Sequence, residues 1–463
     1  MKRLIEHSFT LKLFIVMLLC LQQSCKKTDR LAETPTLGNE SLVNEQQLRR
    51  DSEESANVVY EWYKFMALLQ RNVAPQPLPF TAGRAYAYIG VGLFESVQPG
   101  IRGGSSFSPK LYQMPAMPKP DHSKDYLWNA SANAALASMF KLFLSNLSVA
   151  DKASIDAKEL AIYNNLRLTT PENVLQRSAA FGRSVAGAIY NWSTSDNYSV
   201  TSGTYTPLNE PWAWIPTPPN FAAAIGDNLQ YSRPFLKYTV NSTVPPIPVP
   251  YSEDPNSAFF KAAKEAHDLG GTLTATAANK ATANWWADAG GPGVGVPSPY
   301  HYLSCITSVL ESQHAGLWKA AEVYAKTGIA FKDGPINTFR AKYHYNFIRP
   351  ITFIRRHIDA TWLSHLGNPP YSEYPSGLVG FYGPIIQVLI NEFGDIPVTD
   401  NTYGWRGLSA RQFSSLSQMR KEASDSRVYA GIHYRFTQDA SIDIGIKLGN
   451  EIGKIRVVGP EYQ

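Results

Sequence analysis

From Asn57 onward, apolar residues recur three and four positions apart, and that period dictates helices. Val58, Trp62, Phe65, Met66 and Leu69 set the pattern. Residues 82–97 continue it, with Gly83, Ala85, Ala87 and Gly90 small enough for another helix to approach closely. Further helices are expected over 126–147, 152–166 with Asp151 as N-cap, and 171–192, where Pro171 and Glu172 suit a first turn. The pattern resumes over 256–269, 279–289, 300–330, 336–357, 376–393, 409–434 and 438–455. No strand alternation of useful length and no fixed-period repeat interrupts it. The expected architecture is all-α, built of packed helical bundles. An apolar content of 44% is sufficient for a sizeable core.

Residues 200–255 differ. EPWAWIPTPPNF and VPPIPVPY hold too many prolines for regular helix or a central strand. Their aromatic residues argue against a loose linker, so an ordered wrap over the helices is expected. The chain therefore divides into a leader (1–24), a polar tether (25–56), an N-terminal helical region (57–199), the wrap (200–255) and a C-terminal helical region (256–463).

Lys2 and Arg3 precede the apolar run LKLFIVMLLCL, which is too short to span a bilayer. The run ends at Gln22-Gln23-Ser24-Cys25, similar to a bacterial lipoprotein signal, in which Cys25 becomes the lipidated N-terminus. A plain signal peptide or short anchor is the alternative reading. Loss of Cys20 with the leader and lipidation of Cys25 leave Cys305 alone, without an intrachain disulfide. This reading expects an exported bacterial lipoprotein, periplasmic or associated with the outer membrane. The net charge of +5 is mild, and no basic-aromatic stripe points to nucleic acid.

Three stretches in the C-terminal third carry chemistry. Lys342 and Arg349, in KYHYNFIRP, are seven residues apart, about two helical turns. Pro375-Ser376-Gly377 reads as a helix start, with open N–H groups, a hydroxyl and the positive end of the helix dipole. Ser426-Arg427 leads to Gly431 and His433, again seven residues from Ser426. Each alone is an ordinary surface pair, N-cap or core histidine. In this order and spacing they resemble the signature motifs of one superfamily. It joins vanadium-dependent haloperoxidases to type 2 phosphatidic acid phosphatases and bacterial acid phosphatases. WIPTPPNF, SRPF and NWWADAGGPG extend the resemblance toward bacterial haloperoxidase-related proteins.

The resemblance implies roles. Lys342, Arg349 and Arg427 bind the oxygens of vanadate or phosphate, and Ser376 with the Gly377 N–H completes the cradle. His433 is the single protein ligand to vanadium in a peroxidase, or the nucleophile in a phosphatase. The substrates are peroxide and halide, or a phosphate ester, and a homodimer is compatible with the family. Two positions depart from the pattern. The family's general-acid histidine is replaced by Leu378, and the Asp four residues after the second histidine by Thr437, with Asp439 two further on. His433 is therefore expected to lack a carboxylate partner and to be a weaker base. These departures leave open impaired turnover, or oxyanion binding without turnover. His344, about 200° round a helix from Lys342, is expected to face away, and Glu373 and Tyr374, just ahead of Pro375, are nearer candidates for proton transfer.

Overall fold

The computed structural model describes residues 54–144, 146–199, 205–288 and 294–458. Cys25, the leader and most of the tether lie outside them. The N-terminal part forms α1 (Asn57–Asn72), α2 (Pro79–Val97), α3 (Trp128–Phe143), α4 (Val149–Leu166) and α5 (Glu172–Ser193). After the wrap come α6 (Ala258–Gly270), α7 (Ala277–Trp285), α8 (Ser298–Ser312), α9 (Leu317–Tyr345) and α10 (Pro350–His357). The chain continues through α11 (Gly377–Phe393), β1 (Val398–Asp400), β2 (Arg411–Phe413), α12 (Leu416–Tyr429) and α13 (Arg435–Gly453).

Helix α9 is the axis of the molecule, buried along most of its length. It packs on α2 on one side and on α11 on the other, and α11 packs in turn on α13. Small residues permit these approaches. A Cβ on Gly90 would stand 2.3 Å from the Tyr324 carbonyl oxygen, and one on Gly445 3.1 Å from the Gly383 backbone. Trp62, Tyr88, Phe94 and Tyr324 fill the space between the helices.

Several boundaries differ from expectation. Helix α9 runs unbroken through Pro335 and ends at Asn346, which takes a left-handed conformation at φ 47°. The segment expected as one helix over 336–357 is thus the end of α9 and the separate α10. Helix α4 is capped by Ser148, not Asp151. Asp151 stands at the third helical position and completes a reciprocal capping box with Ser148. Residues 411–413 pair antiparallel with 398–400, so α12 starts only at Leu416, capped by Ser415. Strands of three residues are too short for alternation to reveal them.

The wrap holds the end of α9 in place. Trp214 is fully buried, its N–H donates to the Asn346 carbonyl at 2.8 Å, and the Ile348 N–H donates to the Trp212 carbonyl at 2.9 Å. Further along, the Phe235 and Leu236 N–H groups donate to the two carboxylate oxygens of Asp333. Beside them, Lys332 Nζ donates to Asp196 at 2.7 Å and to Ser232 at 2.9 Å. Arg84 and the Tyr88 hydroxyl bind the same Asp196 carboxylate.

Candidate active site

Two sharp turns and one helix start bring the singled-out residues together. Lys342 lies in the last turn of α9, while Arg349 is the N-cap residue of α10. They do not share a helix face. The reversal at Asn346 turns both toward the segment 371–373. Lys342 Nζ donates to the carbonyls of Ser372 (2.8 Å) and Glu373 (3.1 Å). Arg349 donates to the Tyr371 carbonyl through Nε (3.1 Å) and Nη2 (3.0 Å), and to the Ile432 carbonyl through Nη1 (2.8 Å). Both cations lie over the Tyr371 ring, at 4.9 and 5.4 Å from its centroid.

Ser426 and His433 are also not on one helix. Helix α12 stops at Tyr429, and Gly431 reverses the chain at φ 74° with its α-carbon against Gly270. A Cβ there would stand 2.3 Å from the Gly270 carbonyl oxygen, so the turn requires glycine. His433 follows, almost fully buried, with Arg349 Nη1 3.3 Å from its Nε2. Arg427, near the end of α12, is held by Ser426 Oγ at 3.0 Å and by the Ala283 carbonyl at 3.3 Å.

Ser376 occupies the N-cap position of α11 but makes no capping bond. Its hydroxyl is buried and has no partner among the described residues, while its N–H donates to Ser441 Oγ at 2.9 Å. Gly377 begins the helix, so its N–H belongs to the first turn that no intrahelical carbonyl serves.

The expectation for Thr437 is corrected by a residue from another part of the chain. Glu373 supplies the missing carboxylate. His433 Nδ1 lies 2.7 Å from Glu373 Oε1, which also accepts the Tyr434 N–H at 3.2 Å. Thr437 Oγ1 donates to the other oxygen, Oε2, at 2.8 Å. Thr437 thus holds the carboxylate that holds the imidazole. Asp439 is exposed near Arg435 and takes no part. Sequence position marks Glu373 only as a candidate for proton transfer and misses its pairing with His433, because it precedes His433 by sixty residues and reaches it only through the fold. The available signal was its place just ahead of Pro375-Ser376-Gly377.

The electrostatics follow from burial. Lys342 and Arg349 are fully buried and Arg427 nearly so. Among the described residues, none of the three is ion-paired with a carboxylate. Burial pulls the Lys342 amine well below its usual range, Arg349 adds to that, and Glu373 opposes it. Burial and the cations Arg349, Lys342 and Arg427 likewise hold the His433 imidazole well below its ordinary value. Burial pushes the Glu373 carboxyl up, and Arg349, Lys342, Thr437 and the Tyr434 N–H hold it back. A neutral imidazole donating Nδ1–H to Glu373 leaves Nε2 as a lone-pair donor. Three buried cations, an unpartnered hydroxyl and a helix N-terminus fit a tetrahedral oxyanion, because such charge is costly to bury without a counter-charge.

A cavity of about 260 Å³ opens on this site. His433, Arg427, Gly377 and Tyr371 line its floor, and Leu378, Phe80 and Phe381 stand among its apolar walls. His344 lies instead against a different cavity with Arg340 and Tyr345, away from His433. His301 is wholly buried between Asp288 (2.6 Å) and Asp400 (2.7 Å), and Cys305 is buried and free.

Comparisons with known proteins show what the chain and its fold are similar to. The family model for the VCPO second helical-bundle domain matches residues 322–456. The vanadium chloroperoxidase of Curvularia inaequalis is 22% identical over 424 residues, covering 71% of this chain and 69% of that protein. A structure titled as the first bacterial vanadium-dependent iodoperoxidase superposes with a TM-score of 0.75 at 27% identity. It covers 94% of this chain and 100% of its own. A holo-type bacterial vanadium-dependent chloroperoxidase, at 16% identity, shares the fold with a TM-score of 0.60 over 83% of this chain and 94% of its own.

Proposed function

Because the chain belongs to the superfamily that joins vanadium-dependent haloperoxidases to type 2 phosphatidic acid phosphatases, we propose that it binds vanadate and oxidises halide with peroxide. The observation that carries this reading is the set of buried cations around His433 that, among the described residues, pair with no carboxylate. Lys342, Arg349 and Arg427 would hold the vanadate oxygens, with Ser376 Oγ and the Gly377 N–H completing the cradle. His433 Nε2 would bind the metal. When bound, vanadate supplies the Lewis-acid centre at which peroxide is activated toward halide.

The protein's own contribution is positioning and charge. Glu373 fixes the His433 tautomer and ring orientation, and Thr437 fixes Glu373. The buried guanidiniums and ammonium act in a partly dry site, where they offset oxyanion charge far better than in water. Leu378 offers no proton. Iodide is the most readily oxidised of the common halides and needs the least help, so iodide is the expected substrate. Similarity to the bacterial iodoperoxidase supports the same choice.

The test is formation of triiodide from iodide and hydrogen peroxide by vanadate-loaded protein, with His433→Ala as control. Activity that vanishes in the variant supports the proposal. No oxidation of iodide or bromide from acid to mildly alkaline pH, with vanadate shown bound, contradicts it.

A second reading is favoured by the neutral Nε2, which is as well placed for attack on phosphorus as for metal binding. As a phosphomonoesterase the protein would form a phosphohistidine at His433. Aryl phosphates, whose leaving groups need little protonation, would react best. Comparable rates on alkyl phosphates would show that another acid has taken the missing imidazole's place. Binding of vanadate or phosphate with no turnover of either kind would identify an oxyanion-binding protein.

We also propose export and membrane attachment through lipid on Cys25. Cys25→Ser should move the protein from the membrane fraction to the soluble one. An unchanged membrane fraction would contradict lipidation as the anchor.

A further inference from the structure

The cradle is rich in donors from the backbone side, but Leu378 provides none from the cavity side. Tyr371 is placed to do so. It lines the cavity together with Gly377, Arg427 and His433, and its side chain is only partly buried. Its hydroxyl lies 3.3 Å from where a Cβ on residue 377 would stand. Glycine at 377 therefore leaves the phenol room beside the first N–H of α11. The ring is fixed edge-on to Phe339 at 5.2 Å, and its backbone is clamped by Arg349. Among the described residues, no protein group hydrogen-bonds its hydroxyl. A polar group facing an apolar cavity beside three cations has its natural partner in an anion bound there.

We propose that the Tyr371 hydroxyl donates a hydrogen bond to the oxyanion in the cradle and gives its proton to the leaving oxygen of a phosphate monoester. It thus takes the part that Leu378 leaves empty. The proposal rests on the oxyanion-cradle reading above. In the first step His433 Nε2 bonds to phosphorus, the ester P–O bond breaks with its electron pair on oxygen, and that oxygen takes the phenol proton. In the second, water attacks phosphorus and gives a proton back to the phenolate. The P–N bond then breaks, releasing inorganic phosphate and restoring neutral His433. Lys342 and Arg349, flanking the ring, stabilise the phenolate between the steps. Burial keeps the phenol protonated at rest, while Arg349 and Arg427 oppose that and ease release of the proton.

Tyr371→Phe keeps the ring and removes only the donor. Its affinity for inorganic phosphate and vanadate, measured by titration calorimetry, is expected to fall about ten- to hundredfold. Its rate on an alkyl phosphate should fall about a hundredfold or more relative to p-nitrophenyl phosphate, because only the poor leaving group needs the proton. Wild-type binding with unchanged affinity in Tyr371→Phe overturns this proposal and leaves the cradle intact. Wild-type protein that binds neither anion overturns the cradle reading itself. A parallel loss on both esters, or no ester turnover by the wild type, overturns the proton-donor role, and the binding result then decides the hydrogen bond alone.

Discussion

His433 shows how much one residue's chemistry depends on partners that sequence spacing conceals. The motif spacing indicated His433 as the central group, and the Thr437 substitution suggested a loosely held imidazole. The fold reverses that second inference through Glu373, whose carboxylate bridges His433 and Thr437. A compensating exchange of this kind was illegible because its two members are distant in the chain and join only when α11 and α13 pack. Removing the orienting carboxylate should matter accordingly. Glu373→Ala is expected to lower activity or vanadate affinity by about ten- to hundredfold, while Asp439→Ala leaves both unchanged. Equal effects in the two variants, in parallel steady-state and titration measurements, would contradict the assignment. Leu378 was legible from the start as the position without a proton donor, and its place on the cavity wall agrees. Leu378→His should raise turnover of alkyl phosphates, read as kcat at saturating ester. No gain, with the cradle still binding oxyanion and Tyr371→Phe slowed on alkyl esters, would mean that Tyr371 already fills the acid's part.

At the scale of elements, helical periodicity located most segments, but the breaks that build the site fell between them. A spacing of seven puts residues 342 and 349 on one expected helix, and 426 and 433 on another. In both cases a left-handed residue, Asn346 or Gly431, ends the helix and swings the second side chain into the cradle. Asn tolerates that conformation and Gly adopts it freely, yet neither is rare enough to mark a break by itself. Gly431 also touches Gly270, so a side chain there faces both strain and collision. Gly431→Ala should destabilise the fold by about 1–3 kcal/mol and displace His433. A denaturant midpoint unchanged from wild type would show that the turn can relax. The short hairpin of β1 and β2 was missed for want of length, and it shortened α12 from the expected start.

Across the whole molecule, the all-α class was readable because long buried helices leave a strong period, while the register of their packing was not. Contacts such as Gly90 against Tyr324 depend on three-dimensional pairing, although the small residues on α2 hinted at a close neighbour. The Asp196 cluster ties the N-terminal helices to α9 and to the wrap, which in turn holds the turn after Lys342. Burial alone would raise the Asp196 carboxyl, but Lys332 and Arg84 pull it down to about 2. A carboxylate with a depressed folded value stabilises the protein above its unfolded value near 4 and loses that contribution as pH falls toward 2. The contribution is about 2 kcal/mol. Stability measured by urea unfolding should therefore decline over that window, and Asp196→Asn should flatten the decline while lowering stability at neutral pH. An acid limb identical in the two proteins would assign the effect elsewhere.

In the function proposed here, distant segments of one helical fold converge to bind a tetrahedral oxyanion at His433. Calorimetric titration of inorganic vanadate into wild-type protein and Arg427→Ala tests it most directly. The predicted result is one site per chain in the wild type, with binding abolished in the variant. Absence of binding to the wild type, or equal binding by both proteins, would contradict it.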